Sequence, residues 1–155
     1  MIGIRGFRHT AIVVRNLDLM LDFYVAVLGL QVIRRVELDS AEFQYGIAVA
    51  GSRARVVHLA IPGSDTCLEL FEFAAVEAPE AVPPSNAAGY RHVAFIVDDM
   101  EEACQTLRAS GLQMLSRPVA LNEPGVDPNL LFMYFRDPEG NIIELNNVSL
   151  PGQGG

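Results

Sequence analysis

The chain has 155 residues, half of them hydrophobic, and a formal net charge of −8. That hydrophobic share excludes a disordered chain and suffices for one domain with a sizeable core. The acidity argues against nucleic acid as a partner, because phosphate binding needs a basic face. No apolar run reaches membrane-spanning length, and "MIGIRGFRH" carries no signal-peptide core, so a cytoplasmic protein without a membrane partner is expected. Cys67 and Cys104 lie in apolar stretches without CxxC spacing, which reads as two buried free thiols in a reducing compartment.

In chain order, the first element is a strand, "GFRHTAIVV" from Gly6, and it returns as "GYRHVAFIV" from Gly89. Each copy carries a histidine at the same place, His9 and His92. A helix follows each. In the first, Leu17, Met20, Leu21, Tyr24 and Leu28 recur on one face, with Asn16 as N-cap and Gly29 as stop. In the second, Asp99 and Glu102 form a capping box and Gly111 ends the helix. Gly-Leu-Gln then begins 20 residues after His9 and 19 residues after His92. Strand, helix, strand is thus written twice.

Residues 46–50, 55–61 and 66–73 read as further strands of the first half, with "GSRAR" as a hairpin turn. Residues 130–135 and 142–148 read as strands of the second half, joined by the turn "RDPEGN". The stretch 76–89 reads as a linker, and 116–129, with three prolines, as a loop over a cavity. The expected architecture is α+β: one domain over 1–155 built of two tandem βαβββ modules, about 5–75 and 90–148.

The last strand of each half repeats another phrase, "CLEL" and "IIEL", which places Glu69 and Glu144 at equivalent positions. Alternation puts Glu69 on a face with Cys67, Phe71 and Phe73, and Glu144 with Ile142, Asn146 and Val148. A carboxylate in such apolar company costs several kcal/mol unless a cation or hydrogen bonds compensate. Two imidazoles and two carboxylates suit one divalent ion, whose charge the carboxylates cancel. His9, Glu69, His92 and Glu144 are therefore the candidate metal ligands. His58 has no counterpart in the repeat and reads as structural or at most cavity lining. Glu72 is out of phase with Glu69 and reads as solvated.

From "FRHTAIVV" to "DPEGNIIELNN", with "RNLDLMLDFYVAVLGL" and "YRHVAFIVDDM" between, the chain resembles the vicinal oxygen chelate superfamily. That superfamily includes glyoxalase I, methylmalonyl-CoA epimerase, extradiol dioxygenases and bleomycin-resistance proteins. The resemblance implies paired modules forming a cup-shaped mixed sheet around one divalent ion, Ni, Co, Zn, Mn or Fe, with His9, Glu69, His92 and Glu144 at the ligand positions. It implies chelation of two vicinal oxygens of a small-molecule substrate and removal of a proton to give an enediolate. Glu144 is the first candidate for the base and Glu69 the second. The outcome would be an isomerase, epimerase or lyase. The positions that hold glutathione in bacterial glyoxalase I are Val13 and Phe73 here, so a glutathione substrate is not implied. Phe43, Tyr45, Phe71 and Phe73 suggest a more apolar pocket instead.

Two other readings stay open at this level. His9, His92 and Glu144 alone would make the facial triad of an Fe(II) extradiol dioxygenase. A bleomycin-resistance-type protein would use the same scaffold to bind a drug without catalysis. A homodimer is expected in every case.

Overall fold

A computed structural model of the chain describes residues 2–76, 81–121, 123–127 and 129–147. It divides into two compact units, Met1–Pro79 and Glu80–Gly155. Each is a βαβββ module with a four-stranded mixed sheet.

In the first unit, β1 (His9–Val13) leads into α1 (Leu17–Leu21), which continues as a π-wound turn over Asp22–Val27. Asn16 starts the helix as the sequence indicates, its side chain accepting from the Leu19 amide at 3.0 Å. The sequence suggests one uninterrupted α-helix, and the π turn is the difference. The wider winding, with Leu28 N–H donating to the Phe23 carbonyl, allows the adjacent Phe23 and Tyr24 both to be buried. Their rings meet edge to face, with centroids 4.9 Å apart. Gly29, at φ 73°, then turns the chain where a side chain would be strained.

The strand expected over residues 46–50 is not formed. Residues Ala41–Ile47 make a short helix, α2, whose N-cap Ser40 accepts from the Phe43 amide at 3.1 Å. The cap outweighs the apolar run that follows it. "GSRAR" is accordingly no hairpin. The antiparallel partner of β3 (Ala54–Ala60) is β2 (Gln31–Leu38), and β3 also pairs antiparallel with β4 (Cys67–Phe73). The sheet order is β1-β4-β3-β2, with β1 and β4 parallel. One face carries the fully buried Leu59, Leu68 and Leu70, and α1 packs on β4. Burying each such leucine contributes roughly 1.5–3 kcal/mol.

The second unit repeats the plan. It runs β5 (His92–Ile96), α3 (Met100–Ala109), β6 (Val119–Ala120), β7 (Leu131–Arg136) and β8 (Ile142–Asn147), in sheet order β5-β8-β7-β6. Position 148, assigned to the last strand from sequence, lies outside the described residues, as do 122 and 128 in the stretch read as a loop. That stretch also contains β6, which pairs with β7. Asp99 caps α3 through the Glu101 and Glu102 amides at 2.8 and 3.0 Å. Met133, Phe135 and Ile143 fill the core face with Cys104 and Leu107 of α3. Cys104 Sγ lies 3.2 Å from Met133 Sδ, and burial pushes its thiol up from the ordinary value.

The turn before β8 is built around buried Asp137, whose Oδ1 accepts from the Glu139 and Asn141 amides at 3.0 and 2.8 Å. Gly140 completes it at φ 91°, and a Cβ there would come within 3.0 Å of Val82.

Glu72 is not the solvated side chain that its phase suggests. Its Oε1 accepts from the Leu17 amide at 2.9 Å, satisfying a free donor at the start of α1. Its Oε2 accepts from Arg55 Nε at 2.7 Å. The Arg55 hydrogen bond holds the Glu72 carboxyl below its ordinary value, against an opposing effect of burial. A lowered native value means stabilisation that is present above the unfolded value, about 4.3, and lost as pH falls through the native one. In urea unfolding, Glu72→Gln is therefore expected to be less stable than wild type at neutral pH, with the gap narrowing below about pH 4.3. A gap constant with pH would contradict this role.

Among the described residues, no helix is long and apolar enough to cross a membrane.

Candidate metal centre

The register of the strands decides which side chains share a face. In the first unit His9 stands beside Cys67, and His58 lies directly opposite Glu69. With strand alternation, His9, His58, Cys67 and Glu69 all occupy the sheet face opposite the leucine core. Glu69 is only 6 % exposed. Its Oε1 lies 3.2 Å from His9 Nδ1 and 3.2 Å from His58 Nδ1. His9 and Glu69 are thus brought side by side, and His58, read from sequence as structural or cavity lining, lies against the same carboxylate.

The second unit builds a matching group. His92 Nε2 lies 3.0 Å from Glu144 Oε2, and Glu144 is partly buried. Tyr134, across from Glu144 on β7, takes the place that His58 holds in the first unit. Its ring is tilted against His92 with centroids 5.3 Å apart. Burial, then the charge and hydrogen bonding of Glu144, push the Tyr134 phenol above its ordinary value. Sequence reasoning passed over Tyr134, although the register opposite Glu144 marks it. Asn146 shares this face, two residues beyond Glu144, and its Oδ1 is buried with no hydrogen-bond partner among the described residues.

The aromatic cluster is only partly as expected. Phe43 stacks on Phe73 and Phe71 on Phe73, with centroids 6.4 and 5.9 Å apart, whereas Tyr45 projects into solvent.

The donor chemistry fits a divalent cation. Each sheet presents an imidazole and a shielded carboxylate side by side; His58 and Cys67 also lie near Glu69, and Tyr134 stands opposite Glu144. Buried carboxylates in this state are poorly compensated, and a cation would supply what is missing.

A model of the Glyoxalase/Bleomycin resistance protein/Dioxygenase superfamily matches residues 6–145. The chain is 29 % identical over 150 residues to a 2-epi-5-epi-valiolone epimerase from Actinomyces sp, covering 94 % of this chain and 81 % of that one. It is 26 % identical over 160 residues to a lactoylglutathione lyase from Pseudomonas aeruginosa, covering 96 % and 86 %. Among solved structures, a glyoxalase family protein from Bacillus cereus superposes with a TM-score of 0.80 at 24 % identity, over 95 % of this chain and 97 % of that one. That likeness supports the fold of tandem modules.

Proposed function

The chain belongs to the Glyoxalase/Bleomycin resistance protein/Dioxygenase superfamily, and on that premise we propose that it is a divalent-metal-dependent enzyme catalysing proton-transfer isomerisation, epimerisation or lyase chemistry on a small molecule with vicinal oxygens. The observation that carries this reading is the duplicated pair, His9 with Glu69 and His92 with Glu144, each within 3.2 Å on a sheet face opposite the core. In this proposal all four side chains are ligands of one ion. When bound, such an ion would polarise two adjacent substrate oxygens and acidify the neighbouring C–H.

The chain's own groups do the rest. Glu144 accepts the proton from carbon and returns it to the neighbouring carbon in an isomerisation, whereas an epimerisation needs a second acid–base group, Glu69, to deliver a proton to the opposite face. Tyr134, directly opposite Glu144 on the neighbouring strand, would orient that carboxylate by donating its phenol proton to it. Asn146 Oδ1 accepts a hydrogen bond from a substrate hydroxyl, which would satisfy a buried atom otherwise left unpaired. Glu69 is the second candidate for the base. The relative named 2-epi-5-epi-valiolone epimerase supports epimerisation among these outcomes. Val13 and Phe73, at the positions read as glutathione contacts, speak against a glutathione adduct. A cytoplasmic homodimer belongs to the same proposal.

The test is solvent exchange. Protein reconstituted with Ni(II), Co(II), Zn(II) or Mn(II) is incubated in deuterated buffer with cyclic and open-chain α-hydroxy ketones. Metal-dependent deuterium incorporation at the carbon beside the carbonyl, followed by NMR, is the expected result. Oxygen uptake on catechols with Fe(II), and no exchange, would replace this reading by ring-cleaving dioxygenation.

A further inference from the structure

We propose that His58, Cys67 and Glu69 form a thiolate-containing site within the first module for a thiophilic divalent ion of the Zn(II), Co(II) or Cd(II) class. This goes beyond the function proposed above, which uses neither His58 nor Cys67.

The placement comes from two neighbouring strands. His58 on β3 lies directly opposite Glu69 on β4, and Cys67 stands two residues before Glu69 on the same face. One nitrogen, one sulfur and one carboxylate oxygen from these residues all lie within 4.8 Å of one another. Cys67 and Glu69 are buried and His58 is nearly so, which holds the three donors on a rigid sheet.

Donor softness selects the ion. Nitrogen, sulfur and oxygen together favour zinc and its relatives over magnesium, calcium or manganese, which prefer oxygen alone. Three protein donors leave a fourth position for solvent, as in open zinc sites. Binding is a proton-for-metal exchange: the Cys67 S–H bond breaks, its proton passes to solvent, and a sulfur–metal bond forms without change of oxidation state. The other cysteine makes the contrast. Cys104 faces the core of the second module beside Met133 sulfur.

Glu69 is shared, because the same Oε1 that meets His58 also meets His9. A thiophilic ion seated on Cys67 therefore withdraws Glu69 from the pair it makes with His9. The site competes with the catalytic ion for one carboxylate.

Co(II) is the probe, added to the full chain with bound metal measured by equilibrium dialysis. Wild type, Cys104→Ser and His92→Ala are expected to show a near-ultraviolet sulfur-to-cobalt charge-transfer band, and Cys67→Ser to lack it. His58→Ala should weaken the affinity behind that band by about tenfold or more. Cadmium NMR on wild-type protein gives the same answer without any substitution, since a thiolate ligand moves the resonance far downfield. Co(II) bound without the band would overturn this site and leave the four-ligand proposal standing. A band lost in Cys104→Ser but kept in Cys67→Ser would overturn it equally. No bound Co(II) at all would overturn both.

Discussion

Glu144→Gln is expected to lower turnover by about 10²–10⁴-fold, the usual contribution of a positioned general base. The amide keeps the size and shape of the carboxylate but cannot accept the substrate proton. Folding should change far less, because Glu144 meets His92 and Tyr134 on the face opposite the Ile143–Leu145 core. The measurement is deuterium exchange into whichever substrate the wild type turns over, alongside metal content and urea unfolding. Glu69→Gln is the matched control: buried beside two histidines, it should lose metal affinity as well as turnover. Near-wild-type exchange in both variants at full metal content would remove the glutamates from the chemistry.

Phe135→Ala carries the largest expected cost in stability. Phe135 is fully buried on β7, opposite Ile143 of β8. Truncating a phenylalanine in such a place costs about 3–5 kcal/mol, from lost transfer free energy and the cavity left behind. The urea midpoint should fall accordingly with an unchanged m-value. A loss under about 1 kcal/mol would mean that the second module's core collapses to fill the space.

Most of this architecture was readable because the chain states it twice. The repeated strand phrases around His9 and His92 and the Glu-Leu phrases at Glu69 and Glu144 placed four strands and four candidate ligands. Strand alternation then assigned their faces, and the registers agree. Misreadings arose where a local signal competed with a longer apolar pattern. Ser40 capping Phe43 outweighed the strand-like run after Gly46. Phe23 and Tyr24 are neighbours that are both buried, and the π turn in which they sit has no signature in the one-faced periodicity of the sequence. Glu72 looked solvent-facing by phase alone, since its partners Leu17 and Arg55 lie 55 and 17 residues away.

Tyr134 was passed over, and His58 was left outside the ligand set, for a related reason. A search for repeated residue types does not find them, because one is an imidazole and the other a phenol. Their equivalence is positional: each stands on the antiparallel neighbour directly opposite its module's glutamate. Writing the register between the third and fourth strands of each module would have exposed both. The consequence is a chemical asymmetry between the modules. Glu69 meets two imidazole nitrogens, whereas Glu144 meets one and has a tyrosine, Tyr134, on the strand opposite it. That difference favours Glu69 as the steadier ligand and Glu144 as the group that moves a proton.

Metal content tests most directly whether His9, Glu69, His92 and Glu144 serve one ion, as proposed. Wild type, His9→Ala and His92→Ala would be purified, stripped, reconstituted with Ni(II) or Mn(II), and analysed by elemental mass spectrometry. Wild type is expected to hold about one equivalent and each single variant to lose it, because each removes a ligand of the same proposed ion. Full occupancy in either variant, or none in reconstituted wild type, would contradict it.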